Sequence, residues 1–453
     1  MDCKEVRSEL VALLKGEFGE RHAAAIEEHL AGCQECAAER DWLAGVLRRI
    51  RPPTTEGADT IPRGANPQPI IRVVNALIQG AIRDGASSIA LEPGPQQVRV
   101  RYRIDGVLRE VMQLPRAVHN NLITRIKIMA DCNVGERHAA QQGRMGVTCE
   151  GGSYDVRVGI MPSATGECVT LQIRTAEAPS FDLERIGVSA REAARLRPLL
   201  AAVNGLLLVA GPTGSGKSTV LYSLVQALDR DGRYVASVEE PVYYRLPGVL
   251  QTHVNRRAGV TPETALRTLE AAGAEVILLT HICGPEEARA ALEAAQGESL
   301  VLSALHASHA VAALGRLRQF GLPPYLIASG LQGILSVRLA RRVCPECRQD
   351  APVTPEEAAA LGIPRDATVA KGVGCEACRR TGYKGRVGLY ELLAVDAGVR
   401  RLVAAEAPAN DIQQAALSAG MRPMRMDAAE KVLAGVTTPA EALRVLPQDQ
   451  EAV

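Results

Sequence analysis

The stretch Gly205-Leu-Leu-Leu-Val-Ala-Gly211-Pro212-Thr213-Gly214-Ser215-Gly216-Lys217-Ser218-Thr219 decides the fold. It opens on a continuous apolar run, as a strand covered on both faces requires. Gly211 to Ser218 then fit G-x-x-x-x-G-K-[ST], a turn whose glycines let backbone N–H groups converge on phosphate oxygens. Lys217 supplies a point charge for the β and γ phosphates, and Ser218 offers a hydroxyl to Mg²⁺. Strand, Gly-rich turn and helix in that order predict an α/β domain with a P-loop, and Gly211 through Thr219 as the residues that hold a nucleotide such as ATP.

Outward from this turn, Val276-Ile-Leu-Leu279 and Leu300-Val-Leu-Ser303 repeat the apolar run. They predict further strands of a parallel sheet between layers of helix, over about 181–395. Upstream, Arg72 to Ile82 has helical spacing, and Val98-Arg-Val-Arg-Tyr-Arg-Ile104 alternates like a strand and ends at a hairpin-type Asp105-Gly106. With the alternating Tyr154–Val158 and Val169–Ile173, this predicts a small α+β domain over 70–180. Residues 51–69, rich in Pro, Gly and Thr, read as a linker behind short amphipathic helices in 1–50. The tail 396–453 reads as helical.

The 453 residues are 47% hydrophobic and 23% charged, enough apolar material for full cores and too much for a disordered chain. Aromatic residues are only 3%, so the cores are aliphatic. Lys and Arg number 52 against 51 Asp and Glu, so no global basic field draws the chain to nucleic acid, and no nucleic-acid partner is expected. Met1-Asp2-Cys3-Lys4-Glu5 lacks a basic stretch followed by an apolar run, and the apolar run before Gly211 is too short to span a bilayer. A cytoplasmic chain is expected, reaching a membrane only through partners.

Seven of the eleven cysteines are clustered with ligand-like spacing. Cys344-Pro-Glu-Cys347 and Cys375-Glu-Ala-Cys378 are two C-x₂-C pairs in one short segment, the pattern of a closed structural Zn²⁺ site. At the N-terminus His29-Leu-Ala-Gly-Cys33-Gln-Glu-Cys36 is H-x₃-C-x₂-C, and Cys3 is the natural fourth ligand for a Cys₃His Zn²⁺ site. His22, seven residues from His29, is the competing imidazole and is read as part of a solvated helix face. Residues 1–50 hold seven Lys/Arg against ten Asp/Glu, which favours a protein partner over DNA. Cys132, Cys149, Cys168 and Cys283 are scattered and read as small core residues.

From about 70 to 395 the motifs run in the order seen in the type II secretion and type IV pilus assembly ATPases, which the chain resembles. The matching stretches are Arg101-Tyr-Arg-Ile-Asp-Gly106, Arg125-Ile-Lys-Ile-Met-Ala-Asp131, Gln142-Gly-Arg144, the P-loop, Val238-Glu-Glu-Pro-Val242, Leu302-Ser-Ala-Leu-His306, the tetracysteine element and Gly382-Tyr-Lys-Gly-Arg-Val-Gly-Leu-Tyr-Glu391. The resemblance implies a RecA-like domain preceded by a small PAS-like α+β domain, in a hexameric motor that works on an inner-membrane platform protein. It implies ATP between the two domains, with Arg101, Arg103, Arg157 and Arg174 available to neutralise phosphates, and Glu239, Glu240 and His306 in the catalytic region. Residues 1–50 separately resemble the anti-sigma-factor-type zinc finger. That finger stands where the family usually has a long N-terminal domain, so it is expected to recruit a different protein partner.

The chain departs from the family where water is activated. The acidic box E-D-P-[VI]-E reads Glu239-Glu240-Pro241-Val242-Tyr243, and Gly-Glu-Ile-Arg-Asp reads Thr280-His281-Ile282-Cys283-Gly284. Both positions of a water-activating carboxylate are changed, to Tyr243 and His281. A neutral His281 is the remaining base, poorer than Glu beside a metal; loss of a general base costs about 10²–10⁴ in rate. Ala86-Ser-Ser-Ile-Ala-Leu-Glu-Pro93 also lacks the Asp and His of the family's A-S-D-I-H-[IL]-E-P. Two functions follow: a ring-forming ATP-binding subunit with weakened hydrolysis, alone or in a mixed ring with a working ATPase, or a hydrolysis-inactive scaffold that recruits a partner through its finger. Blander roles stay open: Glu239 and Glu240 as a surface turn, His306 as a strand-end histidine, the arginines as a solvated face.

Overall fold

The computed structural model describes residues 20–38, 40, 41, 69–175, 181–228, 230 and 232–447, together with Cys3, Val6, Leu10 and Leu13. The expected linker before Pro69 and the end of the first helical segment after Asp41 lie outside the described residues. The chain divides into two compact units, Met1–Glu177 and Ala178–Val453.

In the first unit, helix α1 spans Glu20–Gly32, and Cys3, Val6, Leu10 and Leu13 ahead of it are also helical. Ile26 and Leu30 pack with Val6, Leu10 and Cys36 into a small core of their own. The α+β part follows: α2 (Pro69–Arg83), β1 (Ala86–Pro93), β2 (Gln97–Ile104), β3 (Val107–Pro115), α3 (His119–Met129), β4 (Gln141–Cys149), β5 (Gly152–Ser163) and β6 (Gly166–Thr175). The strands form one sheet in the order β3-β2-β1-β6-β5-β4, every neighbour antiparallel. The β2–β3 turn places Asp105 and Gly106 at φ 48° and 82°, the left-handed pair that matches strand twist. Val98, Val100 and Tyr102 point to one face and pack with Leu77, Ile78, Leu122 and Ile126 from the two helices. The Tyr102 hydroxyl donates to the Leu77 carbonyl at 2.7 Å, tying sheet to helix.

The second unit is a three-layer α/β domain. Its elements are α4 (Ala190–Leu200), β7 (Gly205–Ala210), α5 (Lys217–Ala227), β8 (Val235–Glu239), β9 (Leu250–His253), α6 (Pro262–Ala271), β10 (Val276–Ile282), α7 (Pro285–Gln296), β11 (Leu300–Leu305), α8 (Ala310–Gln319), α9 (Pro324–Gly330) and β12 (Leu331–Val343). Then come β13 (Arg348–Pro352), α10 (Pro355–Leu361), β14 (Thr368–Gly372), β15 (Tyr383–Ala394), α11 (Ala397–Ala404), α12 (Ala409–Ser418), α13 (Met424–Leu433) and α14 (Pro439–Val445). The main sheet runs β15-β12-β7-β11-β10-β8-β9. It is parallel except at β15, which returns antiparallel to β12. Along β7, Leu206 and Leu208 join the core of one face, Leu207 and Val209 that of the other. Burial on both faces is why this strand shows no polar alternation.

The C-terminal helices complete this unit. Val399, Val403 and Ile412 join the core beneath α7 and α8, while Met424, Ala428 and Val432 pack with Ala340, Val387 and Leu389. Buried Glu391 on β15 caps two helices at once: it accepts from the backbone N–H of Ala310, the first residue of α8, and of Met424, the first of α13, each at 3.2 Å. Each bond satisfies an otherwise orphaned helix N–H.

Candidate nucleotide and metal sites

The P-loop follows β7 as its sequence predicts. A Cβ at Gly211 would lie 2.4 Å from Ser215 Oγ and 2.7 Å from the Val337 carbonyl, so only glycine fits. Gly214 and Gly216 take φ 78° and 96°, a backbone that glycine alone adopts without cost. Lys217 opens α5 and folds its ammonium back onto the loop, donating to the carbonyls of Gly211 at 2.9 Å and Pro212 at 2.8 Å. Burial, then the charge of Arg338, pulls this ammonium down to about 8. Ser215 Oγ is buried and finds no hydrogen-bond partner among the described residues. An unsatisfied polar atom in a Gly-rich turn at a helix N-terminus suits an anionic ligand.

Of the acidic pair, Glu239 at the end of β8 is fully buried rather than in a surface turn. Its carboxylate accepts from the Tyr222 hydroxyl, from Ser237 Oγ at 2.7 Å and from Gln251 Nε2 at 2.7 Å. Burial, then the Glu239 carboxylate, pushes the Tyr222 phenol far up, so it stays a donor. Tyr222 also meets Phe181 at a tilt, centroids 5.1 Å apart, and Tyr244 edge-on at 6.1 Å. Glu240 is half-exposed and pairs with Arg256 at 3.3 Å; its peptide bond to Pro241 is cis. Tyr243, the changed box position, packs against the core around α4 and α5.

His281 lies on β10, which runs three residues past its apolar stretch, and is half-buried. Burial, then the charges of Lys217 and His306, brings its imidazole down to about 4, so it is neutral at pH 7. His306 is exposed just beyond β11. Cys283 is exposed, not a core residue, and its N–H donates to the buried Glu287 carboxylate, which also faces Arg256 at 3.5 Å. Cys149 does lie in the core of the first unit.

The four arginines occupy one face of the first unit's sheet, opposite its core. The in-register row Arg103–Ser88–Gln172–Arg157–Arg144 crosses five strands. Arg101 pairs with Glu92, Arg103 donates to the Gly106 carbonyl at 2.9 Å, and Arg174 stands opposite Asp155. Glu92 and Asp155 lie among them, and Glu110 on β3 stands opposite Arg101, so acids interrupt this basic face.

The cysteines assemble as predicted from spacing. Cys344, Cys347, Cys375 and Cys378 bring their sulfurs within 4.8 Å of one another, with edges of 3.9 Å (Cys344–Cys375), 3.7 Å (Cys347–Cys378) and 3.7 Å (Cys375–Cys378). A tetrahedron with Zn–S bonds of about 2.3 Å has edges of about 3.8 Å, so the donor set fits Zn²⁺. The N–H groups of Gly374, Cys375 and Gly382 aim at the sulfurs at 3.2–3.3 Å. Burial raises the Cys378 thiol, but the N–H groups of Cys375 and Gly382 outweigh it and bring it to about 6. Cys3, His29, Cys33 and Cys36 likewise converge within 4.8 Å, Cys3 Sγ lying 3.6 Å from His29 Nε2 and 3.9 Å from Cys33 Sγ. His29, not His22, is the imidazole of this cluster.

The model of the type II/IV secretion system protein family matches residues 64–444. The chain belongs to that family. A zinc-finger family model matches residues 3–37, which contain the Cys₃His cluster. Among relatives of this secretion ATPase family, the type II secretion system protein HxcR of Pseudomonas aeruginosa is 37% identical over 96% of this chain and 88% of its own. The type II secretion system protein E of Pectobacterium carotovorum is 38% identical over 84% of this chain and 76% of its own. In fold the chain is similar to the Legionella pneumophila ATPase DotB (TM-score 0.60, 17% identity, 85% of this chain and 97% of that one). It is also similar to the pilus retraction motor PilT crystallised with ADP (TM-score 0.55, 21% identity, 83% and 98%). Among the described residues no helix is long and apolar enough to cross a membrane.

Tyr222, Ser237 and Gln251, which hold Glu239, and Arg338 beside Lys217 escaped sequence reading. Their signal is long-range contact: Tyr222 and Gln251 are 17 and 12 residues from Glu239.

Proposed function

We propose that the chain is an ATP-binding ring subunit of a type II secretion or type IV pilus-type assembly system, with weak hydrolysis of its own. The observation that carries this reading is the P-loop: a glycine-lined turn with a buried unsatisfied hydroxyl and an ammonium resting 2.8–2.9 Å from loop carbonyls that phosphate oxygens can replace. ATP would sit on Gly211–Thr219, with Lys217 on its β and γ phosphates. Ser218 would offer its hydroxyl to a divalent ion. Bound metal supplies charge neutralisation for phosphoryl transfer. His281, neutral and half-buried, accepts a proton from water less effectively than the family's Glu, and Glu239 is occupied by three donors.

Zn²⁺ would be structural at both cysteine clusters, held by Cys344, Cys347, Cys375 and Cys378 and by Cys3, His29, Cys33 and Cys36. In this reading the subunits form a homo-hexamer or a mixed ring with a related ATPase, and the ring works in the cytoplasm against an inner-membrane platform protein. The finger, with its acidic balance, would hold a further protein partner. Phosphate release from ATP by the zinc-loaded protein, with Lys217→Ala as control, tests it. Slow turnover above the control is expected. Rates equal to the control, with nucleotide still bound, would favour the scaffold reading, in which the finger recruits the partner and a neighbouring subunit does the chemistry.

A further inference from the structure

Arg338 lies on β12 against both ends of the Gly-rich turn. Ser336 pairs with Ala210, so β12 runs beside β7 up to the residue before the turn and then continues past it. A Cβ at Gly211 would lie 2.7 Å from the Val337 carbonyl oxygen, and one at Gly216 3.4 Å from the Leu339 side chain. The residues on either side of Arg338 therefore border the first glycine of the turn and the last. In the sheet β7 stands between β12 and β11. Arg338 nonetheless donates from Nη2 to the carbonyl of Ser308, just beyond β11, at 3.1 Å. That bond spans the end of β7, where the turn begins.

Among the described residues no carboxylate neutralises this guanidinium, whereas Arg341 on the same strand pairs with Glu441 at 2.8 Å. The Arg338 Nε is buried without a hydrogen-bond partner, as is Ser215 Oγ inside the turn. Burial pulls the guanidinium down from its ordinary value, and no acid offsets it. A half-buried cation with an orphaned donor is unfavourable until an anion meets it. The Lys217 ammonium, on the same turn, rests only on the carbonyls of Gly211 and Pro212. Two cations thus border one loop, and neither has an acidic partner among the described residues. A guanidinium offers phosphate a planar fork of N–H donors, which an ammonium cannot.

We propose that Arg338 is a second phosphate-binding cation of the nucleotide site, supplied by the same chain as the turn. With a polyphosphate on the turn, its guanidinium leaves the Ser308 carbonyl and donates to phosphate oxygens beside Lys217; in the empty site it rests on Ser308. The proposal rests on the nucleotide-site reading above and adds a residue to it.

The test uses the full chain with both cysteine clusters filled by Zn²⁺. Titration calorimetry measures binding of a non-hydrolysable ATP analogue with Mg²⁺, and of inorganic pyrophosphate, to the wild type, Arg338→Gln and Arg338→Lys. Loss of a charged donor to phosphate should weaken both ligands about 10-fold to 100-fold in Arg338→Gln, and Arg338→Lys should keep part of that affinity. Without ligand, Arg338→Gln should unfold at the wild-type temperature or above it, because an unpaired buried cation is gone. Unchanged pyrophosphate affinity in Arg338→Gln overturns the assignment and makes Arg338 a structural tie between β12 and Ser308. If the variants do not fold, phenylglyoxal labelling of the wild type, read by mass spectrometry, decides the question. Pyrophosphate should then protect Arg338 severalfold and leave the exposed Arg342 unprotected; equal labelling of Arg338 with and without pyrophosphate overturns the assignment. Failure of the wild type to bind either ligand overturns the nucleotide site itself.

Discussion

Glu239, named from sequence as part of the catalytic region, lies buried with its carboxylate held by three donors. Each donor is supplied by a different stretch of chain. Tyr222→Phe should therefore destabilise the second unit by about 1–3 kcal/mol, since it leaves a buried charged acceptor short of a partner. Denaturant unfolding measures this; unchanged stability with lost nucleotide binding would make Glu239 a ligand-contacting group instead. A second buried carboxylate predicts a pH dependence. Burial opposes ionisation of Glu441, but Arg444 and Arg341 outweigh it and hold the carboxyl at about 2, against an ordinary 4.5. The folded value lies below the unfolded one, so this stabilisation is full above 4.5 and is lost as pH falls toward 2. Thermal unfolding between pH 5 and about 2.5 should show a steeper loss for the wild type than for Glu441→Gln. The place of Lys217 in the P-loop and the convergence of the clustered cysteines were legible from sequence, because local spacing within a motif sets them. Glu239's role and Arg338's were not, because hydrogen bonds between distant segments define them.

At the scale of elements, the apolar runs announced β7, β10 and β11, and the alternating segments announced β2, β5 and β6. Their pairing needed the structure: the antiparallel return of β15 onto β12 leaves no local trace, because from Val387 to Leu393 β15 is buried and reads like any parallel core strand. The tetracysteine element joins four such elements. Cys344 follows β12, Cys347 precedes β13, Cys375 follows β14 and Cys378 precedes β15. Around it, the Cys344 N–H donates to the Gly382 carbonyl and the Val343 N–H to the Val436 carbonyl, each at 2.9 Å. The Arg341 guanidinium lies 4.0 Å over the Tyr383 ring, whose hydroxyl meets Thr438 at 2.8 Å. Chelation that empties this cluster should lower the unfolding temperature of the second unit and raise hydrogen exchange first around Val436 and α14. An unchanged unfolding temperature after verified zinc loss would show that the cluster does not support the fold.

For the whole molecule, the P-loop lies in one unit and the Cys₃His cluster in the other, each with its own hydrophobic core. In the proposed reading it works as a closed ring, and native mass measurement with an ATP analogue and a divalent ion should give a particle of about six protomers. A monomer under those conditions, with nucleotide bound, would favour the scaffold.

Glu391 makes two distant parts of the second unit mechanically one. Its single carboxylate closes the N-termini of α8 and α13, helices more than a hundred residues apart in the chain. Neither helix end can withdraw without stranding a buried N–H, so a displacement at one is inherited by the other. α8 begins four residues after His306, at the rim of the P-loop. The joint works like a shared axle carried on β15, by which a shift at the start of α8 would be handed to α13 on the C-terminal side of the domain.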